Sequence, residues 1–103
     1  MWQNVIAWLR EHVPKGKVTT YVAVYAALHD GDRSGARAVS GWLNQAIRAS
    51  AKNKSWTHRV VTVRGDIKRK GQLRQLRVEG IPIVRQRVAI RHAAQQGRLV
   101  DSQ

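Results

Sequence analysis

The sequence predicts a mainly α-helical domain with a small β-hairpin, organised around a helix-turn-helix. Apolar residues recur at helical spacing in three successive segments, a glycine-containing turn separates the second from the third, and one short run is rich in β-branched residues. A chain of 103 residues with 43% hydrophobic side chains can bury one core. We therefore expect a single domain over residues 1–103, with a core at about 2–83 and a basic C-terminal tail at 84–103.

The first two helices follow from apolar spacing and from their boundary residues. The first helix has apolar residues at positions i, i+3, i+4, i+7 and i+11 of one face, namely Trp2, Val5, Ile6, Leu9 and Val13. The segment 14–16 (Pro-Lys-Gly) ends this helix. Thr19 or Thr20 can cap the second helix. Its apolar set is Tyr21, Val24, Tyr25 and Leu28.

The third helix has two chemically different faces. A turn at residues 29–32 precedes it, Ser34 is a suitable N-cap, and we expect the helix to run to about Arg48. At about 100° per residue, the core face consists of Val39, Trp42, Leu43, Ala46 and Ile47. The outer face is small in the middle and basic at both ends, with Arg37, Ser40, Gly41, Asn44 and Arg48.

The second half of the chain predicts shorter elements. The β-branched run at 59–63, the Arg-Gly-Asp turn at 64–66 and Ile67 are typical of a small hairpin, and the basic run 68–70 follows it. A short helix is expected from Gln72 to Glu79, ended by Gly80. From Ile81 onward the apolar residues are scattered, so the tail either completes the domain or binds DNA independently, and its last residues are expected to fray.

Charge is the strongest functional signal in the sequence. The formal net charge is +13, of which residues 1–47 carry +2 and residues 48–103 carry +11. Such a charge opposes compact folding by self-repulsion and indicates a polyanionic partner. We expect nucleic acid rather than a membrane surface, because the basic half lacks the bulky apolar stripe of an interfacial helix.

Residue types exclude several kinds of chemistry. The chain has no cysteine, which excludes disulfides, thiolate metal sites and a cysteine nucleophile. Its four histidines are far apart and have no metal-ligand spacing, so we expect no cofactor and no metal. No signal peptide or membrane span is recognisable, and we expect a cytoplasmic, nucleoid-associated protein.

The third helix is a candidate recognition helix. Two helices joined by a short turn form the helix-turn-helix pattern, in which the second helix contacts DNA. Small residues at positions 40 and 41 would let its backbone approach a groove closely, whereas the alternative is a three-helix core that contacts no DNA. The expected DNA-binding residues are Thr20, Arg37, Ser40, Gly41, Asn44 and Arg48.

Three segments, in order, resemble the O6-alkylguanine-DNA alkyltransferases. Residues 14–21 (Pro-Lys-Gly-Lys-Val-Thr-Thr-Tyr) resemble the segment that leads into the family's helix-turn-helix, residues 36–39 (Ala-Arg-Ala-Val) its recognition helix, and residues 58–61 (His-Arg-Val-Val) the end of its active-site motif. The later segments 64–65 (Arg-Gly) and 76–80 (Leu-Arg-Val-Glu-Gly) resemble a turn and a helix end of the same family. The resemblance covers roughly residues 2–83 and implies the winged-helix-like helix-turn-helix domain of the alkyltransferase C-terminal type.

The departures from the family pattern point to alkyltransferase-like proteins, which bind alkylated guanine and do not repair it. Thr57 stands where the alkyl-accepting cysteine would be, and Trp56 precedes it in place of proline. The separate N-terminal domain of full alkyltransferases has no counterpart in the sequence. Because a threonine hydroxyl is a poor nucleophile, we expect no enzymatic activity, and we interpret His58 and Glu79 as a vestigial structural hydrogen-bond pair beneath the pocket.

The resemblance also implies roles for individual residues. Arg37 matches an arginine finger that fills the space left by a flipped nucleotide. Tyr21 matches a tyrosine bordering the lesion pocket, although its helical spacing equally favours a core position. Trp56 and Thr57 would line the pocket, and either Arg69 or Lys70 would recognise the alkylated base by a cation–π contact.

Three functions follow from these observations. The first is a non-enzymatic, monomeric protein that recognises O6-alkylguanine in double-stranded DNA by minor-groove binding and nucleotide flipping, and marks the lesion for nucleotide excision repair proteins. The second is a residual alkyl-transfer enzyme that uses Thr57 or an activated water. The third is a general DNA-binding domain that kept the fold and lost the pocket, with affinity dominated by counterion release.

Overall fold

The computed structural model describes residues 1–101 and confirms the predicted class, a mainly helical domain with small sheets. The final two residues, part of the end expected to fray, lie outside the described range. Six α-helices are present in it: α1 Trp2–His12, α2 Tyr21–Leu28, α3 Arg37–Ala49, α4 Lys54–Thr57, α5 Gln72–Val78 and α6 Ile90–Gln95. The strands are β1 Val18–Thr20, β2 Val60–Val61, β3 Ile83–Val84, β4 Arg87–Val88 and β5 Leu99–Val100. A single 3-10 turn at Ala51–Asn53 leads into α4.

The first three helices form the larger core as the apolar spacing predicts. One buried cluster joins them, made of Val5, Ile6, Leu9, Val13, Val24, Val39, Leu43 and Ala46, and it also includes Val60 of β2. Thr20 caps α2, because its hydroxyl accepts a hydrogen bond of 3.1 Å from the backbone N–H of Ala23. The four tryptophans all pack at the edge of this cluster rather than at its centre.

The predicted N-cap of α3 at Ser34 is wrong by two residues. Ala36 is the N-cap and makes no side-chain cap hydrogen bond. Ser34 does not cap the helix, because its backbone N–H and its hydroxyl both donate to Asp32 Oδ1, at 2.9 and 2.7 Å. Gly35 packs against the ring of Tyr25 so closely that a Cβ there would overlap it. The chain must pass this ring before it turns helical.

The hairpin predicted at 59–67 is also wrong. Strand β2 pairs in parallel with β1, with Thr19 opposite Val60, and no antiparallel strand returns from the turn within residues 1–101. Both β2 residues are buried, which is typical of a parallel strand covered on both faces and not of an exposed hairpin. The turn itself exists, and the N–H of Gly65 donates to Thr62 O at 2.8 Å.

The C-terminal segment completes the fold, which settles the question that the sequence leaves open. Strands β3 and β4 form the actual hairpin, with left-handed Arg85 and Gln86 at its tip. Strand β5 pairs in parallel with β1 on the side opposite β2, giving the order β2-β1-β5. Val88 and Ala93 are buried in a second core cluster with Val18, Val61, Leu76 and Ile81.

Candidate nucleic-acid interface

Helix α3 exposes the face that its sequence predicts to contact DNA. Val39, Leu43 and Ala46 are fully buried beneath it. All five residues of its outer face are exposed: Arg37, Ser40, Gly41, Asn44 and Arg48. A Cβ at Gly41 would meet nothing within 4 Å, so packing inside the protein does not require this glycine. Glycine within a helix costs about 1 kcal/mol relative to alanine, which is consistent with a close approach by an external partner.

Two clefts flank this face, and we name them by their position along α3. The N-terminal cleft has a volume of about 380 Å³ and is lined by Tyr21, Val22, Ala36, Arg37, Ser40, Thr62, Val63 and Lys68. The basic cleft has a volume of about 530 Å³ and is lined by Asn44, Ile47, Arg48, Lys54, His58, Lys68, Arg69 and Lys70. Lys68 borders both clefts, so they are neighbours on one surface.

Arg69 joins the loop at 68–70 to α3 at the boundary between the two clefts. Its guanidinium donates to Asn44 Oδ1 at 2.6 Å and to the backbone oxygen of Ser40 at 3.3 Å. Its Nε is buried and has no hydrogen-bond partner among residues 1–101. The side chain therefore lies against the outer face of α3.

Gln72 holds this loop in place from below. The side chain is fully buried, and its Nε2 donates to the backbone oxygens of His58 and Val60 at 2.9 and 2.8 Å. Its Oε1 accepts from the backbone N–H groups of Lys68 and Arg69, both at 3.2 Å. One side chain thus fixes the loop to the start of β2. Sequence reasoning missed this role, because glutamine side chains are mostly exposed in folded proteins.

The structure does not gather the predicted lesion pocket into one place. Arg69 and Lys70 line the basic cleft, whereas Tyr21 lines the N-terminal cleft beside Arg37. Trp56 lines neither of them. Its indole packs against the helical core, with the guanidinium carbon of Arg59 at 4.9 Å from the ring centroid.

Two further predicted site residues are buried. Thr57 is 0% exposed at the end of α4, and its hydroxyl oxygen has no hydrogen-bond partner among the described residues. Thr20 is 9% exposed, and its hydroxyl is occupied as the cap of α2. Neither side chain lines a cleft beside α3.

The predicted pairing of His58 with Glu79 is wrong, because Glu79 pairs with Arg59 instead. Arg59 Nε donates to Glu79 Oε1 at 3.0 Å, and the second guanidinium contact with Oε2 is 2.9 Å long. Both side chains are buried, at 6% and 7% exposure. Gln75 occupies the carboxylate further with a hydrogen bond of 3.1 Å. The sequence does not show which of the two neighbours, His58 or Arg59, pairs with Glu79, because both are part of the family motif.

His58 faces the basic cleft as a neutral group. Burial lowers the pKa of its imidazole, and the nearby charges of Arg69 and Lys54 lower it further. A histidine with a pKa below its ordinary value adds no cation to the cleft near neutral pH. The positive charge of the cleft therefore comes from its lysines and arginines.

The described residues meet neither the requirements of a metal site nor those of a membrane-spanning helix. No group of three or more histidine, cysteine or carboxylate side chains suited to a metal ion occurs within residues 1–101. Within the same range, no helix has the length and apolar character needed to cross a membrane.

Comparison with known proteins supports the fold. No family model and no curated protein matches the sequence. Among solved structures, the chain is similar to that of S. pombe Atl1 in complex with damaged DNA containing O6-carboxymethylguanine. The two chains are 28% identical, the match covers 81% of this chain and 78% of that chain, and the TM-score is 0.60. This protein therefore has the alkyltransferase-like fold, which confirms the resemblance drawn from the sequence motifs.

Proposed function

We propose that this protein binds O6-alkylguanine in double-stranded DNA without repairing it, and marks the lesion for nucleotide excision repair. The observation that carries the proposal is the exposed face of α3, small in its middle and cationic at both ends, with a cleft on each side. The same fold occurs in a protein crystallised on damaged DNA. We further propose that it acts as a cytoplasmic, nucleoid-associated monomer.

Binding to the duplex rests on charge and on the small residues of α3. Neutralising phosphates with lysine and arginine releases counterions, which supplies much of the affinity. The minor groove is only about 6 Å wide, so an approaching helix needs a face without bulky side chains. Ser40 and Gly41 provide that face, while Arg48 lies about two turns further along the same surface.

We assign nucleotide flipping to two residues of this surface, Arg37 and Arg69. Extruding a base costs a few kcal/mol of stacking and pairing. Arg37, which is exposed at the first turn of α3, would fill the gap in the stack. The extruded base would then be held on the side of the loop at 68–70, where Arg69 already contacts α3.

The buried state of Thr57 supports binding without alkyl transfer. Attack on an alkyl carbon needs an exposed, activated nucleophile, and the Thr57 hydroxyl is 0% exposed. The residual-enzyme hypothesis is tested by intact-mass analysis after incubation with O6-methylguanine duplex. Unchanged protein mass together with unchanged DNA supports a binding protein, and a gain of one methyl group would overturn this part of the proposal.

A general DNA-binding domain is the second candidate, and one observation favours it. The residues expected to form the lesion pocket are divided between the two clefts and the helical core. A domain that had lost the pocket would bind duplex through its cationic surface alone, with no preference for a lesion.

Arg37→Ala tests the flipping role directly. We expect this variant to weaken binding to a duplex with one O6-methylguanine by about 10-fold or more, and single-stranded DNA binding by less than about 3-fold, because only the duplex has a gap to fill. Arg91→Ala is the control, since Arg91 is an exposed arginine on α6 and lines neither cleft. Equal losses on duplex and single strand would contradict the finger assignment.

A further inference from the structure

The hairpin of β3 and β4 has a loop whose residue types do not suit its backbone conformation. Val84 and Arg87 are paired across the hairpin, so Arg85 and Gln86 alone form the loop between them. Both loop residues have a positive φ, of +53° and +64°. Positive φ at both positions is the arrangement of a type I′ turn, which favours Asn-Gly. Arginine and glutamine are strained in this left-handed region, so local propensity does not explain their presence.

The strained loop also carries a charge that is not used within the folded chain. Arg85 and Gln86 are exposed, and neither side chain makes a hydrogen bond or an ion pair within residues 1–101. Residues 80–100 contain four arginines and no carboxylate. Asp66 supplies a carboxylate to the hairpin from outside, but it lies 3.2 Å from Arg87 Nε and leaves Arg85 unpaired. Strain held at an exposed cation indicates a role toward a partner of opposite charge.

The turn at 62–66 connects the hairpin to the N-terminal cleft. At one end of the turn, Thr62 and Val63 line that cleft. At the other end, the backbone oxygen of Gly65 accepts a hydrogen bond of 2.9 Å from the N–H of Val88 in β4. A Cβ at Gly65 would overlap the carbonyl oxygen of Val88, so the turn and the hairpin are in direct contact. The hairpin is therefore attached beside the N-terminal half of α3, whereas the basic cleft lies beside its C-terminal half.

We propose that the hairpin loop is a second DNA contact, in which Arg85 binds backbone phosphates of the duplex beyond the segment that α3 covers. This inference rests on the proposed function and adds to it an interaction surface outside both clefts. Helix α3 has 13 residues, so it is about 20 Å long and spans at most about six base pairs. The domain extends 31 Å along its longest axis, and a duplex lying against it has phosphates within reach beyond those pairs.

The double variant Arg85→Asn/Gln86→Gly removes the cation and supplies the dipeptide that this turn favours. We expect its Tm to rise by about 4 °C or more, because two residues leave a strained conformation. Its affinity for a duplex with one O6-methylguanine should fall about 5-fold at near-physiological salt. The slope of log K against log salt concentration should fall in magnitude by about 1, as for the loss of one phosphate contact. Weaker binding by a more stable protein excludes a damaged fold as the cause.

Two control variants separate the charge of Arg85 from other effects. Gln86→Gly relaxes the loop and keeps Arg85, so it should raise Tm and leave the affinity for DNA within about 2-fold of the wild-type value. Arg77→Gln removes an exposed arginine of α5 that lines neither cleft, and its affinity should also stay within about 2-fold. If Arg77→Gln weakens binding as much as the double variant does, net charge alone is responsible and the inference is overturned.

A chemically modified duplex identifies the phosphates involved. It carries the same O6-methylguanine, but uncharged methylphosphonates replace the phosphates more than about three base pairs from the lesion on both sides. The wild-type protein and Arg85→Asn/Gln86→Gly should bind this duplex within about 2-fold of each other, because Arg85 has lost its partner. A difference of about 5-fold that persists here would overturn the inference, since the contact would then lie within the segment covered by α3. Equal binding of both proteins to the unmodified duplex would also overturn it.

The ratio of the affinities for lesion and guanine duplexes separates this inference from the proposed function. A phosphate contact carries no information about the base, so Arg85→Asn/Gln86→Gly should keep the wild-type ratio. If the wild-type protein shows no lesion preference and the double variant still binds both duplexes more weakly, lesion recognition is wrong and the hairpin contact stands. If the wild-type protein prefers the lesion and the double variant binds as tightly, the hairpin contact is wrong and lesion recognition stands.

Discussion

The buried ion pair between Arg59 and Glu79 is the sharpest departure from what the sequence motifs imply, and Glu79→Gln tests it. Two contacts of 3.0 and 2.9 Å join the side chains, and the side chain of Arg59 is only 6% exposed. Removing one partner of a buried ion pair costs about 3–5 kcal/mol, because the remaining charge is left uncompensated. The hydrogen bond from Arg59 to Val13 O at 3.2 Å survives, as does its contact with the Trp56 ring, so we expect a loss near the lower limit.

Thermal unfolding followed by tryptophan fluorescence measures this loss. For a domain of this size, 1 kcal/mol corresponds to about 4–8 °C in Tm, so a loss of ~3 kcal/mol should lower Tm by roughly 12–24 °C. The double variant Arg59→Met/Glu79→Leu should be more stable than Glu79→Gln, because no buried charge remains. Asp66→Asn is the control: it removes the exposed Arg87–Asp66 pair, at 60% and 37% exposure, and should cost less than about 1 kcal/mol. A loss below about 1 kcal/mol for Glu79→Gln would refute the reasoning.

Three further predictions concern the segments that hold the interface. Gly65→Ala should lower the free energy of unfolding by more than about 2 kcal/mol, because φ is +86° and a Cβ there would overlap the carbonyl oxygen of Val88. Gly97→Ala is the control in the same thermal unfolding assay. Its φ is +71° but the space around it is open, so it should cost about 1–2 kcal/mol. Gln72→Leu should cost about 3 kcal/mol or more in urea denaturation, because it leaves two buried and two partly buried backbone groups without their partner, and a wild-type midpoint would contradict its role. The fold lowers the pKa of His58, so the unfolded chain takes up a proton that the folded chain does not as pH falls through the ordinary value near 6.5. The free energy of unfolding should therefore decrease from pH 7 to pH 5, and His58→Gln should show a shallower decrease; identical pH profiles would contradict this.

The helical half of the fold could be predicted from the sequence because its signals are local. The apolar period of α1 and the two faces of α3 depend on residues within a few turns of one another, and both are found as expected. Thr20 as a cap is also a local signal. The start of α3 could not be predicted, because it depends on the contact between Gly35 and the ring of Tyr25, which lies ten residues earlier.

The sheet could not be predicted because its pairings are distant in the sequence. Strand β1 lies between β2 and β5, which follow it by about 40 and 80 residues, and each strand has only two or three residues. Strands this short show no alternation that would reveal their partners. Because the strands are so short, the sequence also led us to predict the hairpin at residues 59–67, whereas the structure has it at residues 83–88.

The exposed face of the site could be predicted from the sequence, but the positions of the side chains beneath that face could not. Arg37, Ser40, Gly41, Asn44 and Arg48 are exposed together because one helix carries them all. The placement of Trp56 and the exchange of His58 for Arg59 as the partner of Glu79 depend on how α4, β2 and α5 pack. No spacing rule within a single element encodes such contacts.

The central claim, that the protein recognises a lesion and not only DNA, is tested most directly by competition at one near-physiological salt concentration. A labelled duplex with a single O6-methylguanine is bound first, and unlabelled duplexes with O6-methylguanine or with guanine at the same position are titrated against it. The account predicts that the lesion duplex competes at least 10-fold better than its guanine counterpart. Equal competition by the two duplexes would contradict it, and would assign the binding to the cationic surface alone.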